Sequence, residues 1–151
     1  MVEKTNDYKF VTPVDAEAWQ AYHEIRRKVL FEDRGLFGVY DQNHPDELAD
    51  GNFPKLLLYR SEPVGVVRID IAGSTATLRR VAIRADAQGC GHGRALLSFA
   101  EDFAGENGCS EVRSHSAVDA VGFYEKCGYT AAFDELARQS ATISRLMTKR
   151  L

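Results

Sequence analysis

Cysteine is scarce in this sequence, and long apolar runs are missing from it. The 151 residues include three cysteines, Cys90, Cys109 and Cys127, an odd number with neither a C-x-x-C pair nor the spacing of metal ligands. Apolar runs such as residues 56–59 are far too short to span a membrane. Residues 1–10 are polar and lack the apolar segment of a signal peptide. We therefore expect a cytoplasmic protein with reduced thiols, no metal and no membrane attachment.

The sequence also lacks a surplus of basic residues. It has 19 lysines and arginines against 22 aspartates and glutamates, a formal net charge of -3, whereas domains that bind nucleic acid are typically basic. This balance disfavours nucleic acid as a partner. Hydrophobic residues make up 44% and charged residues 27%, which is typical of soluble globular proteins. Because no repeat or low-complexity linker divides the chain, we expect a single domain over residues 1–151.

Hydrophobic periodicity predicts a mixed order of strands and helices. Thr12 and Pro13 are typical of an N-cap and a first helical residue, Asp15 adds an acidic first turn, and apolar residues then recur at helical spacing to about Leu30. The further predicted elements are strands at 55–60, 64–71 and 75–83, a helix at 94–107, a strand at 111–115, a helix at 117–127, and strands at 129–133 and 141–149. The order β-α-(α)-β-β-β-α-β-α-β-β indicates an α/β (α+β) domain with an antiparallel part and one β-α-β crossover.

Glycines cluster at residues 88–94, between the predicted strand 75–83 and the next helix. Gly89, Gly91 and Gly93 have no Cβ atoms, so an anionic ligand can approach the backbone, and the free N–H groups of a first helical turn can hold a phosphate. The spacing does not match the G-x-G-x-x-G of a dinucleotide site, and no Gly-Lys-Ser or Gly-Lys-Thr of a P-loop occurs. A pyrophosphate-binding loop and a simple strand-to-helix turn are the alternatives.

Two motifs of the chain resemble those of the GNAT superfamily of N-acetyltransferases. Residues 78–83, Leu-Arg-Arg-Val-Ala-Ile, lead into Gln88-x-x-Gly91-x-Gly93, which is similar to the family's acetyl-CoA signature Q/R-x-x-G-x-G/A. Residues 120–129, A-V-G-F-Y-E-K-C-G-Y, resemble its later A-x-x-F-Y-x-x-x-G-F/Y. The motifs occur in the family's order, and residues 25–30 resemble its first helix, so the likeness covers most of the chain.

The resemblance implies a GNAT-like acyl-CoA N-acyltransferase fold, in which two central strands splay apart around acetyl-CoA, the acetyl donor. The coenzyme A pyrophosphate is expected on the loop amides and the pantetheine arm along the preceding strand. The implied cofactor-binding residues are Val81, Ala82, Ile83, Gln88, Gly89, Cys90, Gly91, His92, Gly93, Arg94 and Phe123. Residues 79–94 contain four arginines and one aspartate, and this local positive charge suits a ligand with several phosphates.

Tyr124 and His115 are the predicted catalytic residues. Tyr124 matches the family's frequent general acid, because a phenol can protonate a departing thiolate; a half-buried helix tyrosine is the alternative. His115 ends the predicted strand 111–115, where an imidazole suits a base that takes the proton of the amine, directly or through water. It can equally bind pantetheine or cap the next helix.

Acceptor binding is expected on residues 32–50, which follow the first helix. Glu32 and Asp33 lie where the family shapes its acceptor pocket, with ordinary surface acids as the alternative. The segment carries six acidic residues and one arginine, so it is expected to attract a cationic amine.

The sequence therefore predicts a transferase that moves an acetyl group from acetyl-CoA to an amine by direct attack. A small-molecule amine is the expected acceptor, and homodimers are common in the family. Two other interpretations stay open. A non-catalytic acyl-CoA-binding or regulatory domain would keep the loop and lose turnover, whereas an enzyme acting on a protein amino terminus or lysine would differ in its acceptor.

Overall fold

The computed structural model describes residues 7–132 and 144–151. Its regular elements are strand β1 (Tyr8–Val11), helix α1 (Ala16–Arg26), strands β2 (Asn52–Tyr59), β3 (Glu62–Ala72) and β4 (Thr75–Ile83), helix α2 (His92–Glu106), strand β5 (Glu111–Ala117), helix α3 (Val121–Lys126), and strands β6 (Thr130–Ala131) and β7 (Ser144–Arg150). A π-helical turn (Arg27–Phe31) extends α1, and 3-10 turns lie at Glu32–Arg34, Pro45–Leu48, Ala85–Ala87 and Val118–Ala120.

The strands form one mixed sheet in the order β1-β2-β3-β4-β5-β7-β6. Neighbouring strands are antiparallel except β4 and β5, which run parallel and are connected through α2. Helix α1 packs on one face, where Tyr22 and Ile25 meet Val66 and Ala82. Helices α2 and α3 cover the other face with the larger apolar cluster. Both faces of the central strands are therefore covered, which explains the nearly continuous burial of residues 64–67.

Helix α1 begins after Asp15, so the expected N-cap at Thr12 is wrong. The Asp15 carboxylate accepts a hydrogen bond of 2.8 Å from the Ala18 N–H group, which satisfies one of the free donors of the first turn. The Thr12 hydroxyl instead accepts a hydrogen bond of 2.9 Å from Lys55 Nζ of the neighbouring strand β2. The Thr12 hydroxyl is thus used by a tertiary contact, and the cap falls three residues later at Asp15.

The predicted fold class is confirmed: a mixed α/β fold with an antiparallel part and one β-α-β crossover. Strand β5 continues to Ala117, and the helical segment after it begins at Val118 as a 3-10 turn. Phe133 and residues 141–143, the ends of two predicted strands, lie outside the described residues. That residues 1–151 form one domain stays a prediction. Among the described residues, no helix combines the length and the apolar character needed to cross a membrane.

Candidate active site

Strands β4 and β5 separate in the middle of the sheet. Their pairing joins residues 75–78 to residues 111–114, after which β4 stays paired with β3 as far as Ile83 and β5 with β7 as far as Ala117. No strand of the described residues pairs with residues 79–83 on the side of β5, so an extended ligand can use the backbone groups of this edge. Here lies a cavity of about 200 Å³, the splay cleft, whose lining includes Val81, Ser114, His115 and Tyr124.

Residues 88–94, the glycine loop, turn the chain from β4 into α2. Gly89 and Gly91 have φ angles of 79° and 85°, and a Cβ atom at either position would meet nothing within 4 Å. Conformation therefore requires glycine at both positions. Gly91 is the N-cap of α2 and provides no side-chain acceptor, so the first-turn N–H groups are left for another partner. An anion such as a phosphate is the ligand that a helix N-terminus favours.

Gly93 is glycine for a different reason. A Cβ atom there would lie 3.1 Å from Cζ and 3.2 Å from Cε1 of the Phe123 ring. Phe123 belongs to α3 and is 36% exposed. The short distances mean that its ring packs directly on the first turn of α2. The two sequence motifs therefore touch at this contact, and the spacing between the glycine loop and the helix of Tyr124 depends on the small size of Gly93.

Two side chains of the glycine loop anchor it to the sheet. His92 is 7% exposed, and its Nδ1 atom lies 2.7 Å from the Tyr8 hydroxyl of β1. Burial, with Arg84 as a smaller cause, lowers the pKa of His92. Gln88 Nε2 donates a hydrogen bond of 3.0 Å to the Ile83 carbonyl. The His92 ring and the Gln88 side-chain amide therefore hold the loop in place, whereas the Cys90 thiol is exposed. Cofactor binding by Gln88, Cys90 and His92 stays a prediction.

The fold divides the basic segment 79–94. Arg84 is paired with Asp86 at 2.5 Å and donates a hydrogen bond of 2.8 Å to the Pro63 carbonyl. Arg79 and Arg80 line a different pocket. Arg94 is exposed on the first turn of α2 and has no carboxylate partner within the described part of the chain. The clustering of four arginines in sequence therefore overstates the positive charge at the glycine loop.

Tyr124 lies in the wall of the splay cleft. It is 5% exposed, and its oxygen accepts a hydrogen bond of 2.9 Å from Ser114 Oγ of β5. Burial raises the pKa of Tyr124, although the bond from Ser114 acts in the opposite direction. The phenol therefore stays protonated near neutral pH, and the bond from Ser114 leaves the phenolic proton unused. Val81, Ala82 and Ile83 run along the unpaired edge opposite, with Val81 in the same lining.

His115 connects the splay cleft to a larger pocket of about 650 Å³. Four arginines contribute to the larger pocket, which we call the arginine-lined pocket: Arg26, Arg68, Arg79 and Arg80. Because side chains alternate along a strand, His115 of β5 points to the face opposite Ser114, which meets Tyr124. Arg80 and His115 line both cavities, so a molecule in the pocket can reach the point where the strands separate.

A β-bulge brings two consecutive arginines into the arginine-lined pocket. The register between β3 and β4 shifts between Val66 and Arg68, and Arg80 has a φ angle of 57°. Neighbouring residues of a regular strand point to opposite faces, whereas Arg79 and Arg80 line one pocket. The bulge thus redirects one side chain.

A buried ion pair forms another wall of the arginine-lined pocket. Arg26 is 3% and Glu47 5% exposed, and Arg26 Nη1 donates to Glu47 Oε2. The Tyr22 hydroxyl donates a second hydrogen bond of 2.6 Å to the other oxygen of Glu47. This network fixes the 3-10 turn Pro45–Leu48 against α1. The network is not evident from the sequence: Tyr22 and Arg26 lie one helical turn apart, but no sequence pattern identifies Glu47 as their partner.

Glu32 and Asp33 do not line the arginine-lined pocket. Glu32 pairs with Arg27 at 3.2 Å, and Asp33 borders a separate depression beside α1 and Arg84. The acidic residues of segment 32–50 that line this pocket are Asp41, Asp46 and Glu47. A role of Glu32 and Asp33 in acceptor binding stays a prediction.

The unpaired edge of β4, the glycine loop and the splay cleft fit an extended acyl-CoA ligand. Such a ligand would lie with its pantetheine arm along residues 81–83 and its pyrophosphate at the N-terminus of α2. In the described residues, no three side chains of histidine, cysteine, aspartate or glutamate converge as metal ligands would.

Comparison with known proteins identifies the family. The acetyltransferase (GNAT) domain matches residues 54–131. A Bacillus subtilis (strain 168) protein named "Putative acetyltransferase" is 33% identical over 113 residues, which are 74% of this chain and 76% of that protein. The crystal structure of a "putative N-acetyltransferase" from Lactobacillus plantarum is 27% identical, with a TM-score of 0.76 over 97% of this chain and 99% of the other.

A third comparison shows the fold together with coenzyme A. The PaiA N-acetyltransferase of Thermoplasma acidophilum, crystallised in complex with coenzyme A, has a TM-score of 0.69 over 95% of this chain and 99% of the other at 16% identity. At this identity the likeness concerns the fold alone. With the matched domain and the Bacillus subtilis relative, it leads to one conclusion: the chain belongs to the GNAT superfamily of N-acetyltransferases, which transfer an acyl group from acyl-CoA to an amine.

Proposed function

We propose that the protein transfers the acetyl group of acetyl-CoA to the amine of a small molecule by direct attack, with Tyr124 as general acid and His115 as general base. The observation that carries this proposal is the position of Tyr124, whose phenol borders the splay cleft and accepts a hydrogen bond from Ser114. When bound, acetyl-CoA supplies an activated acetyl group and a thiolate as leaving group. The chain supplies positioning and proton transfer.

The glycine loop and the unpaired edge of β4 position the donor. N–H groups of residues 89–94 bind the pyrophosphate, with the positive end of the α2 dipole and Arg94 adding attraction. Backbone groups of residues 81–83 pair with the pantetheine arm, and an amide of this edge polarises the thioester carbonyl. Phe123, packed on Gly93, forms the wall between the loop and α3. The acetyl carbon is thereby held at the point where the strands separate.

Tyr124 and His115 move the two protons of the reaction. The nitrogen of the acceptor forms a bond to the acetyl carbon while the carbon–sulfur bond breaks. His115 takes the proton that the amine loses, directly or through one water, because it faces the arginine-lined pocket from the end of the splay cleft. Tyr124 gives its proton to the departing sulfur and recovers one from solvent. The raised pKa of Tyr124 keeps this proton in place at neutral pH until the thiolate develops.

The size and shape of the arginine-lined pocket support a small-molecule acceptor. Its volume of about 650 Å³ lies within the range of small-molecule sites, and its walls come from α1, the following turns and the sheet. The cytoplasm is the proposed location, because Cys90, Cys109 and Cys127 are all free thiols. Assembly as a homodimer stays a prediction.

Replacing Tyr124 by phenylalanine tests the proposal. We expect Tyr124→Phe to lower kcat about 100-fold, the scale of a lost general acid, while the Kd for acetyl-CoA measured by calorimetry stays the same. Tyr129→Phe is the matched control, since Tyr129 is also buried, its hydroxyl donates to Glu101 at 2.9 Å, and it does not line the splay cleft. The phenylalanine keeps the ring that packs on Tyr124. The control should lose stability and keep kcat. An unchanged kcat in Tyr124→Phe would remove Tyr124 as the acid.

The pH profile and the acceptor range complete this test. Because the pKa of Tyr124 is raised above the ordinary value of about 10, loss of its proton cannot lower the rate of the wild type below about pH 10. A fall at lower pH that disappears in Tyr124→Phe would contradict the assignment. Binding of acetyl-CoA without thiol release from any amine would favour the non-catalytic interpretation.

A further inference from the structure

The sheet wall of the arginine-lined pocket carries more positive charge than its nearest carboxylates neutralise. Arg68 and Arg79 share one carboxylate, because Asp70 lies 2.7 Å from Arg68 Nε and 3.6 Å from Arg79 Nε. The Arg80 guanidinium lies 5.2 Å from the centre of the Phe31 ring. Within residues 7–132 and 144–151, no carboxylate lies at ion-pair distance from Arg80. One guanidinium of this wall is unpaired and a second is loosely paired.

Buried hydrogen-bond donors lie in the same pocket. Arg26 lines it at 3% exposure and uses Nη1 for its bond to Glu47. Its Nε and Nη2 atoms have no hydrogen-bond partner in the part of the chain that the structure describes. The Arg26 guanidinium packs on the Tyr22 ring, 4.4 Å from its centre, so Arg26 adds positive charge behind this wall although these two atoms are not open to a ligand.

The surroundings of Arg80 are positive. Burial lowers the pKa of Arg80, and the nearby charges of Arg26 and Arg68 act in the same direction. Arg80 is exposed to the pocket, and its guanidinium is repelled by the neighbouring arginines. An anion placed among the three arginines would remove that repulsion.

Asp41 and Asp46, the exposed acidic residues of the pocket, lie on its loop side. Asp41 Oδ1 accepts a hydrogen bond of 2.9 Å from the Asn43 N–H group, and Asp46 Oδ2 lies 3.7 Å from His44 Nδ1. The pocket is therefore divided into a positive sheet wall, which reaches His115, and a negative outer loop.

The position of the positive wall restricts the acceptor. Arg80 and His115 border both the pocket and the splay cleft, so the reacting nitrogen must lie near a guanidinium. A nearby positive charge lowers the pKa of an ammonium group, which favours the neutral, nucleophilic amine but disfavours an acceptor with several positive charges. A carboxylate on the same molecule would pair with the guanidinium and offset this repulsion.

We propose that the acceptor is an amine with a carboxylate close to its nitrogen, as in an amino acid, and that Arg80, with Arg79 beside it, binds this carboxylate. The proposal rests on the transferase function proposed above. Arg80 reaches the pocket because of the β-bulge, and a planar guanidinium binds a carboxylate through two parallel hydrogen bonds.

Matched acceptors test the proposal. The common amino acids, their C-terminal amides and spermidine are incubated with acetyl-CoA and the purified protein, and release of free thiol is followed. We expect kcat/KM for an amino acid to exceed that for its amide at least about tenfold, the usual value of one charged hydrogen bond. Equal rates for acids and amides, or a preference for spermidine, would overturn the proposal while the transferase function stands.

Arginine variants identify the binding group. Arg80→Gln should raise KM for the amino acid about tenfold, with little change for its amide, and Arg80→Lys should keep part of the preference because it keeps the charge. Arg60→Gln is the matched control, since Arg60 is an exposed arginine paired with Asp7 outside the pocket. Arg79→Gln serves as a second test, and the melting temperature of each variant reports its folding. Equal losses with acid and amide would overturn the role of Arg80.

A binding measurement separates this proposal from the proposed function. The same amino acids and amides are titrated into the protein saturated with coenzyme A. Binding of acids alone, lost in Arg80→Gln, supports the pocket assignment even if no acetylation occurs, in which case the transferase function fails. Absence of both binding and turnover for every amino acid overturns the acceptor proposal.

Discussion

The glycine loop and the arginine-lined pocket would recognise their proposed ligands with different parts of the chain. The loop offers backbone N–H groups from seven consecutive residues, 88–94, and the side chains of His92 and Gln88 are turned back to hold it in place. The pocket offers side chains from α1, β3, β4 and the turns after α1. Backbone recognition is local and needs little beyond glycine at Gly89 and Gly91, whereas side-chain recognition needs the complete fold.

The difference extends to how each region is stabilised. In the glycine loop, the residues with positive φ angles are glycines, for which this conformation costs little free energy. In the pocket, charged groups are buried against each other, and the Arg26–Glu47 pair is almost inaccessible. Substitutions should therefore disturb the loop through conformation and the pocket through electrostatics.

The largest effect is expected at Glu47. Glu47→Gln removes the charge opposite the buried Arg26, and breaking a buried ion pair costs about 3–5 kcal/mol of unfolding free energy. Glu32→Gln is the control, because the ion pair of Glu32 with Arg27 is partly exposed and such pairs contribute less than about 1 kcal/mol. Denaturant unfolding measures both. Similar small losses in the two variants would show that the pocket depends on its charges no more than the surface does.

An intermediate effect is expected at Gly91. Gly91→Ala places a Cβ atom at a φ of 85°, which costs about 1 kcal/mol of stability, and it should weaken acetyl-CoA binding about tenfold by disturbing the amides that face the pyrophosphate. Gly73→Ala is the matched control, because Gly73 has a φ of 60°, also with open space around it, in the turn between β3 and β4.

Calorimetry with acetyl-CoA separates the two glycine variants. Both should lose similar stability, and Gly91→Ala alone should lose affinity. If both variants bind acetyl-CoA as tightly as the wild type does, the glycine loop is only a structural turn. The proposal that its backbone N–H groups bind the ligand would then be wrong.

The smallest effect is expected at the contact between Gly93 and Phe123. Gly93→Ala gains helix propensity but brings Cβ to 3.1 Å from the Phe123 ring. In a Phe123→Leu background the clash should be relieved, so we expect a coupling of about 0.5 kcal/mol in a double-mutant cycle of unfolding free energies. Gly105→Ala, also in α2, would meet only Leu151 Cδ1 at 3.9 Å and should stabilise without coupling. If the effects of Gly93→Ala and Phe123→Leu on the unfolding free energy are additive, the contact between Gly93 and Phe123 does not set the spacing between the glycine loop and α3.

The fold and the glycine loop could be predicted from the sequence because both depend on patterns of residues that are close together in the chain. Strands β2, β3 and β4 have alternating or continuous apolar residues between turn residues, and α2 shows a helical stripe that ends before Gly108. The loop could be found from Gln88, Gly91 and Gly93 by their resemblance to a family motif. Tyr124 was singled out in the same way, and its role as general acid stays a prediction. Its donor Ser114 shows no motif of its own.

The arginine-lined pocket could not be predicted, because its residues meet only through the tertiary fold. The bulge that brings Arg80 beside Arg79 depends on the register with β3, and Glu47 reaches Arg26 after a long turn. Counting charges along the chain placed the acids of 32–50 opposite a cationic amine and all four arginines of 79–94 at the phosphates. In the structure, Arg79 and Arg80 instead line the arginine-lined pocket.

The short parallel pairing of β4 and β5 also has a consequence for folding kinetics. Strands β1 to β4 are a run of neighbours in the sheet, and β5 and β7 pair separately, so residues 75–78 and 111–114 are where the two halves of the sheet join. A parallel pair closed across a helix is a non-local contact, which forms slowly. The splay cleft exists only once this pairing has formed. We expect a ligand that spans both halves of the sheet to slow the separation of the halves more than it slows the fraying of either one.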